Sequence, residues 1–280
     1  MFSYEFMRYA FICGILIALI IPLVGQTCVL KRASMTGDAL SHTALLGVAI
    51  GLIAGINPIW ISIIVCIISS LIMEIIRKRF HKYSEMAVMI VMSFSIALAV
   101  ILSKFSKTAN FNSYLFGSIL LVSIHEVIIT SVLTLITLIF YVGFYHQIRY
   151  VVYNESQAKL DGINVDLINI VHTILISIVI AISSKIIGAL MVSALMVIPY
   201  GTAIQITKNY KKTMLLSILF SLLSIISGLI VSYYFDLQPG GTIVVISVLL
   251  LIIVMITFSI IKRHSKKSVL NWFLLFLFIV

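Results

Sequence analysis

The chain has 280 residues, of which 62% are hydrophobic and only 10% are charged, with a net charge of +10. Together with a mean hydropathy of +1.22, this excludes an ordinary soluble domain, in which roughly 25% of residues are charged. The positive charge does not indicate nucleic-acid binding, because the basic residues form short clusters between apolar segments, as in the cytoplasmic loops of membrane proteins. The three cysteines have no paired spacing, which argues against a disulfide framework or a CxxC metal site.

Nine apolar segments follow one another along the chain, each about 18–25 residues long, the length that crosses roughly 30 Å of hydrocarbon. The second begins with a polar turn, so eight full spans and one broken helix are an alternative. Phe111–Val122 is a shorter apolar stretch, either re-entrant or interfacial, and the tail Val269–Val280 is too short to span. The sequence predicts an all-α polytopic membrane protein, a single transmembrane domain over residues 1–280, with segments near Tyr9–Leu30, Thr36–Ala54, Pro58–Arg77, Glu85–Ser103, Ser123–Tyr145, Leu167–Ser184, Ile187–Thr207, Thr213–Tyr234 and Thr242–Ile261.

Lysine and arginine predict the orientation of these segments, since cytoplasmic loops are enriched in both. If the loop after the first segment is inside, most of the 19 basic residues fall on inner loops. The opposite orientation would invert that bias. We therefore predict an N-terminus outside the cell and a C-terminus inside.

Asp38 and His42 lie four residues apart at the head of the second segment. On a helix this spacing brings a carboxylate and an imidazole onto one face. A carboxylate in the hydrocarbon region costs about 2.5–3.5 kcal/mol on insertion scales, which favours a functional partner. Carboxylate oxygen and imidazole nitrogen together bind ions such as zinc and manganese. The pair is a candidate site on a metal path; the alternative is that Asp38 caps the helix and His42 packs against a neighbour.

The longest polar interval, residues 150–165, separates the fifth and sixth segments. Asn154 is a candidate helix N-cap, Glu155 favours a first turn, and Gly162 suits the left-handed residue that ends a helix. These signals predict a short cytoplasmic helix with the small Ala158 on one face, suited to docking in a groove of another protein. The alternative is an ordinary surface loop.

The chain resembles the integral-membrane permeases of zinc- and manganese-type ABC importers over nearly its whole length. Tyr200 departs from the alanine usually found after the proline of one family helix. The resemblance is carried by Arg32 with Gly37–His42 and Leu46–Gly47, by the helix Gly188–Pro199, by the loop spacing Glu155-x-x-Ala158-x-x-x-Gly162, and by the turn Asp236-x-x-Pro239-Gly240-Gly241.

This resemblance implies a plasma-membrane permease that transports Zn²⁺ or Mn²⁺, with zinc slightly favoured, and binds no permanent cofactor. It implies two copies of this chain, a separate ABC ATPase and an extracellular metal-binding protein. No glycine is followed by lysine, so a P-loop is absent from the chain itself. The residues implied are Asp38 and His42 for the metal path, Glu155, Ala158 and Gly162 for coupling to the ATPase, and Gly37, Gly47, Gly188, Pro199, Pro239 and Gly240 for helix and turn geometry.

Two other classes of function are weighed against this one. A gradient-driven cation transporter could also use Asp38 and His42, but it would be expected to have more intramembrane carboxylates and an internal repeat. An intramembrane protease would need a second carboxylate such as Asp236, which is predicted at a helix end, or a His-Glu-x-x-His motif, which is absent. His172, near the inner end of the sixth segment, is expected to contact lipid headgroups.

Overall fold

A computed structural model describes residues 5–79, 84–104 and 122–263. Within these ranges the protein is entirely helical, as predicted. Its eleven helices are α1 (Glu5–Leu30), α2 (Thr36–Ala54), α3 (Pro58–Arg79), α4 (Ser84–Ser103), α5 (Ile124–Gly143), α6 (Tyr145–Tyr153), α7 (Glu155–Leu160), α8 (Val165–Ile187), α9 (Ala189–Ile206), α10 (Tyr210–Phe235) and α11 (Pro239–Arg263).

Nine helices of the described ranges are long and apolar enough to cross a membrane, which confirms the predicted count. The second runs without a break from Thr36 to Ala54, so the broken-helix alternative is wrong. α10 begins at Tyr210, earlier than predicted, because Asn209 accepts hydrogen bonds from the first backbone amides of the helix and extends it beyond its apolar part. The predictions for Phe111–Val122, except Val122 itself, and for the tail Val269–Val280 fall outside the described residues.

The middle of the bundle is formed by α1 and α9. α1 packs against α5, α9 and α10, whereas α9 packs against α1, α2, α10 and α11. The most apolar window of α1 is 72% buried inside the protein, compared with 11% for that of α11. A chain this hydrophobic therefore buries its central helices in protein and leaves the apolar faces of the outer helices for lipid.

Two glycines allow the central helices to approach one another closely. A Cβ atom on Gly25 of α1 would lie 2.0 Å from the carbonyl oxygen of Met196 in α9, and a Cβ atom on Gly37 of α2 would lie 2.6 Å from the Met196 sulfur. Small residues bring membrane helices together in this way, since dispersion rather than hydrophobicity drives their packing. α9 is thus held between α1 and α2.

We expect Gly25→Ala to destabilise the permease by about 1–3 kcal/mol, the usual cost of overpacking a core. The added methyl group meets backbone rather than a side chain that could rotate away. Gly143→Ala is the matched control, because nothing lies within 4 Å of a Cβ atom built there. Thermal unfolding in detergent should show a lower midpoint for Gly25→Ala only, and equal midpoints for both variants would refute the close approach.

Three separate parts of the chain meet at one end of the bundle. Gln26, near the end of α1, donates a hydrogen bond from Nε2 to the carbonyl oxygen of Tyr210 at 3.1 Å. The Tyr210 ring in turn contacts the rings of Tyr145 and Tyr153 in α6. The end of α1, the start of α10 and the polar interval after α5 therefore lie together, at the end for which the sequence predicts a cytoplasmic location.

Candidate functional site

Asp38 and His42 occupy the first two turns of α2, on the same face. His42 Nε2 lies 3.7 Å from Asp38 Oδ1, and the two side chains are 15% and 36% exposed, respectively. Two ligands that are each about 2.0–2.2 Å from one ion are roughly 3.4 Å apart in tetrahedral geometry. The observed separation is close to that value, so both atoms could bind one ion after a small adjustment.

The N-cap position of α2 is held by Met35, which makes no side-chain cap hydrogen bond. Asp38 lies further along, in the first turn, where the helix dipole favours a carboxylate. Within the described part of the chain, no group of three or more His, Cys, Asp or Glu side chains could hold a metal. The pair therefore offers two protein ligands.

α9 packs on α2 close to this pair, since Gly37 contacts the buried Met196 and Asp38 is the next residue. The half-exposed residues of α9 from 193 to 201 are Ser193, Ala194, Val197, Ile198 and Gly201, three of which are small. Pro199 lies inside α9 and is buried.

The remaining predicted glycines and Pro239 lie at helix contacts and helix ends. Gly47 packs on Ser62 of α3, where a Cβ atom would lie 2.4 Å from the Ser62 Cα. Gly188, with φ 98°, separates α8 from α9. Pro239 is the first residue of α11, and a Cβ atom on Gly240 would lie 1.9 Å from the sulfur of Met191.

The polar interval between α5 and α8 contains the short helix α7, whose ends are formed as the sequence predicts. The Asn154 side chain accepts a hydrogen bond from the Gln157 amide at 3.1 Å, as an N-cap does. Gly162 has φ 81°, and the Ile163 amide donates to the carbonyl oxygen of Ala158 at 3.0 Å. This is the left-handed ending that glycine favours.

The side chain of Ala158 does not face outward. It is 0% exposed and belongs to the protein core, so it is not a side chain that α7 offers to a partner. The spacing alone could not tell which face of a two-turn helix turns inward. Leu160, at the end of the same helix, is 86% exposed and is the apolar side chain that α7 presents to its surroundings.

Glu155 is joined to the membrane helices rather than pointing only to solvent. Lys31 Nζ donates to Asn169 Oδ1 at 2.6 Å, and Asn169 Nδ2 donates to Glu155 Oε1 at 3.2 Å. Lys31 and Glu155 are 3.7 Å apart. Burial lowers the pKa of Lys31, an effect that the charges of Glu155 and Glu74 oppose. Sequence reasoning missed this contact, although Asn169 in an apolar span was a signal for it.

A second hydrogen bond holds the other end of α7. The Tyr150 hydroxyl of α6 donates to Asp161 Oδ2 at 2.5 Å. Because the phenol donates to a carboxylate, the pKa of Tyr150 is raised above its ordinary value. α7 is therefore anchored at its first residue by Glu155 and just beyond its last residue by Asp161.

The sequence predicts that His172 contacts lipid headgroups, whereas the structure buries it inside the bundle with 5% of its surface exposed. Its Nε2 lies 2.8 Å from Thr27 Oγ1 and 2.9 Å from the Tyr141 hydroxyl, which are themselves 3.0 Å apart. An imidazole near the end of an apolar helix has the same sequence pattern whether it faces lipid or protein. The packing of α1, α5 and α8 decides the matter.

Comparison with known proteins identifies the family. The model of the ABC 3 transport family matches residues 3–258. The chain belongs to the ABC 3 transport family. It is accordingly a multi-pass permease of the cell membrane, and in ABC transporters ATP is hydrolysed by a separate subunit. It is therefore a transporter subunit and not an intramembrane protease.

Individual ABC 3 relatives match along nearly the whole chain. A Treponema pallidum protein named "Probable metal transport system membrane protein" is 40% identical, covering 91% of this chain and 96% of its own length. The solved PsaBC structure from Streptococcus pneumoniae, in complex with a Fab, has a TM-score of 0.81 at 26% identity and covers 90% of this chain and 92% of its own.

Relatives named for two different metals are equally similar to the chain. A high-affinity zinc uptake membrane protein of Haemophilus influenzae is 27% identical, over 89% of this chain and 97% of its own length. A manganese transport membrane protein of Listeria monocytogenes is also 27% identical, over 90% of both chains. Overall identity therefore does not discriminate between the two metals.

Proposed function

We propose that this ABC 3 permease imports divalent metal ions, with zinc slightly favoured over manganese. The observation that carries the proposal is the Asp38–His42 pair, a carboxylate and an imidazole 3.7 Å apart on one face of a membrane helix. Both are ligands that zinc and manganese accept. The names of the relatives support metal as the cargo.

The preference for zinc rests on the local motifs and is slight. The segments Asp38–Gly47 and Gly188–Leu190 resemble the zinc branch more than the manganese branch of such permeases. One nitrogen and one oxygen ligand suit either ion, and affinity order alone does not decide which metal a cell transports.

A second copy of the chain is proposed to complete the path. Two side-chain ligands are fewer than the four of a closed tetrahedral zinc site, so water or a second protomer has to supply the others. The half-exposed side of α9, which includes Ser193, Ala194 and Gly201, suits close approach of another helix. An incomplete shell also suits transport, because an ion has to leave the site after entering it.

Glu155, Ala158 and Gly162 are proposed to act together as the coupling element, in which each has a different part. Ala158 is the buried side chain that seats α7 on the bundle. Gly162 ends the helix, and Glu155 ties it to α1 and α8. The exposed Leu160 is then the side chain that meets the ATPase. An extracellular metal-binding protein is the proposed source of the ion.

Uptake of radioactive zinc and manganese by cells with and without this chain tests the proposal. We expect zinc uptake to depend on the chain and on ATP hydrolysis, with manganese a weaker competitor. If uptake continued when the ATPase was inactivated but stopped when the proton gradient was removed, the gradient-driven alternative would replace this one. Stronger manganese than zinc uptake would overturn the metal preference alone.

A further inference from the structure

Six polar side chains form two connected layers at the inner end of α1 and α8. The outer layer contains Lys31, Asn169 and Glu155, and the inner layer contains Thr27, His172 and Tyr141. We call this group the polar ladder. Thr27 lies in the last turn of α1 and Lys31 directly follows that helix, four residues later, whereas Asn169 and His172 lie one turn apart on α8.

The outer layer joins α7, α8 and the residue that follows α1 through one amide. Asn169 accepts from Lys31 with its oxygen and donates to Glu155 with its nitrogen, at 2.6 and 3.2 Å. The Lys31 side chain is only 15% exposed, so its ammonium group has lost most of its water and depends on these two partners. Hydrogen bonds to charged groups are stronger than those between neutral groups. The contact is therefore more than a surface ion pair.

The inner layer is a closed triangle of hydrogen-bonding atoms. Thr27 Oγ1, His172 Nε2 and the Tyr141 hydroxyl lie 2.8–3.0 Å from one another, and all three side chains are buried. Buried polar groups that satisfy each other fix the relative position of the helices that carry them. The triangle holds α1, α5 and α8 together directly beneath the outer layer.

α7 itself has only six residues, too few to be stable alone, because isolated helices shorter than about 12–15 residues are marginal in water. Its orientation comes from its contacts. Ala158 supplies an apolar contact, which resists separation but not rotation, whereas Glu155 supplies a directional one. The ladder is thus the directional connection between α7 and the helices that cross the membrane.

We propose that Lys31 and Asn169 are positioning residues for transport, which set the orientation of α7 and pass its displacement by the ATPase to α1 and α8. This inference rests on the proposed function only in that α7 meets the ATPase. When the ATPase displaces α7 at Leu160, the displacement reaches the membrane helices through Glu155. α1 packs directly on α9, so a shift of α1 reaches the helix beside Asp38.

The test compares Lys31→Met with the double variant Lys31→Glu, Glu155→Lys. The amide group of Asn169 can rotate so that its nitrogen and oxygen exchange places. Its nitrogen would then donate to Glu at position 31 and its oxygen would accept from Lys at position 155. Asp166→Asn is the matched control, because Asp166 of α8 also pairs with a residue of α7, Lys159, but at 3.8 Å with both side chains more than half exposed. Exposed pairs of this kind contribute about 0–1 kcal/mol.

In the complex reconstituted with its ATPase, we expect Lys31→Met to assemble normally but to transport about tenfold less metal per ATP hydrolysed, a factor equal to about 1.4 kcal/mol. The double variant should regain most of the wild-type ratio of metal transported to ATP hydrolysed. Asp166→Asn should have the same ratio as the wild type. Hydrogen exchange of residues 155–163 in the permease alone should be faster in Lys31→Met only. If Lys31→Met does not accumulate, Asn169→Ala replaces it with the same expectations.

Normal coupling and normal hydrogen exchange in Lys31→Met would overturn the inference, as would a double variant that is no better than Lys31→Met. The exchange measurement requires neither metal nor ATPase. A wild-type complex that moves neither zinc nor manganese would therefore contradict the proposed function, while the exchange data would still decide whether the ladder orients α7.

Discussion

Asp38→Asn should reduce zinc and manganese uptake more than tenfold while the permease still accumulates and assembles with its ATPase. The amide keeps the size of the carboxylate and an acceptor oxygen, but it loses the charge that compensates a divalent ion. A loss of about 1.4 kcal/mol in the barrier or the binding step already gives a factor of ten. His42→Ala, which removes the second ligand, should have an effect of the same order.

The control for this experiment is again Asp166→Asn, the same chemical change at an exposed carboxylate of α8. Uptake by that variant should be normal. A structural role that needs only the size and an acceptor oxygen of the Asp38 side chain would largely survive the change to asparagine. Near-normal uptake by Asp38→Asn would accordingly return the pair to a structural role and remove the metal-site proposal.

Leu160→Asp should abolish association with the ATPase without lowering the amount of permease in the membrane. The Leu160 side chain is 86% exposed in the chain alone, so its replacement costs the fold little. Burying a leucine in a partner's groove contributes about 1.5–3 kcal/mol, and a carboxylate in that position would add a desolvation cost. Co-purification of the ATPase with tagged permease measures the effect, and uptake should fall in parallel.

Leu237→Asp is the matched control for Leu160→Asp. Leu237 is also an exposed leucine, but it follows the end of α10 that is opposite Tyr210, away from α7. ATPase association should be unchanged there. Ala158→Trp should behave differently from both, because the added ring enters the core and the permease itself should fail to accumulate. If Leu160→Asp co-purified with as much ATPase per permease as the wild type does, Leu160 would be excluded as the docking contact.

The sequence by itself determined the features that depend on neighbouring residues. Apolar length predicted the nine spans, and the bounds Thr36–Ala54 of α2 agree with the structure at both ends. The ends of α7 followed from Asn154 and Gly162, since a side-chain cap and a left-handed glycine act within a few residues. The spacing of Asp38 and His42 likewise brought the pair together, because both lie on one helix.

Only the tertiary structure decided which side chains face one another across the bundle. It turned Ala158 inward and Leu160 outward, although both lie on the same two turns. It buried His172 against Thr27 and Tyr141, and it joined Lys31 to Glu155 through Asn169. Hydropathy averages over all directions around a helix, so it measures whether a segment enters the membrane but not which neighbour each face meets. That choice is made by packing between helices distant in the chain, as where Gly25 admits Met196.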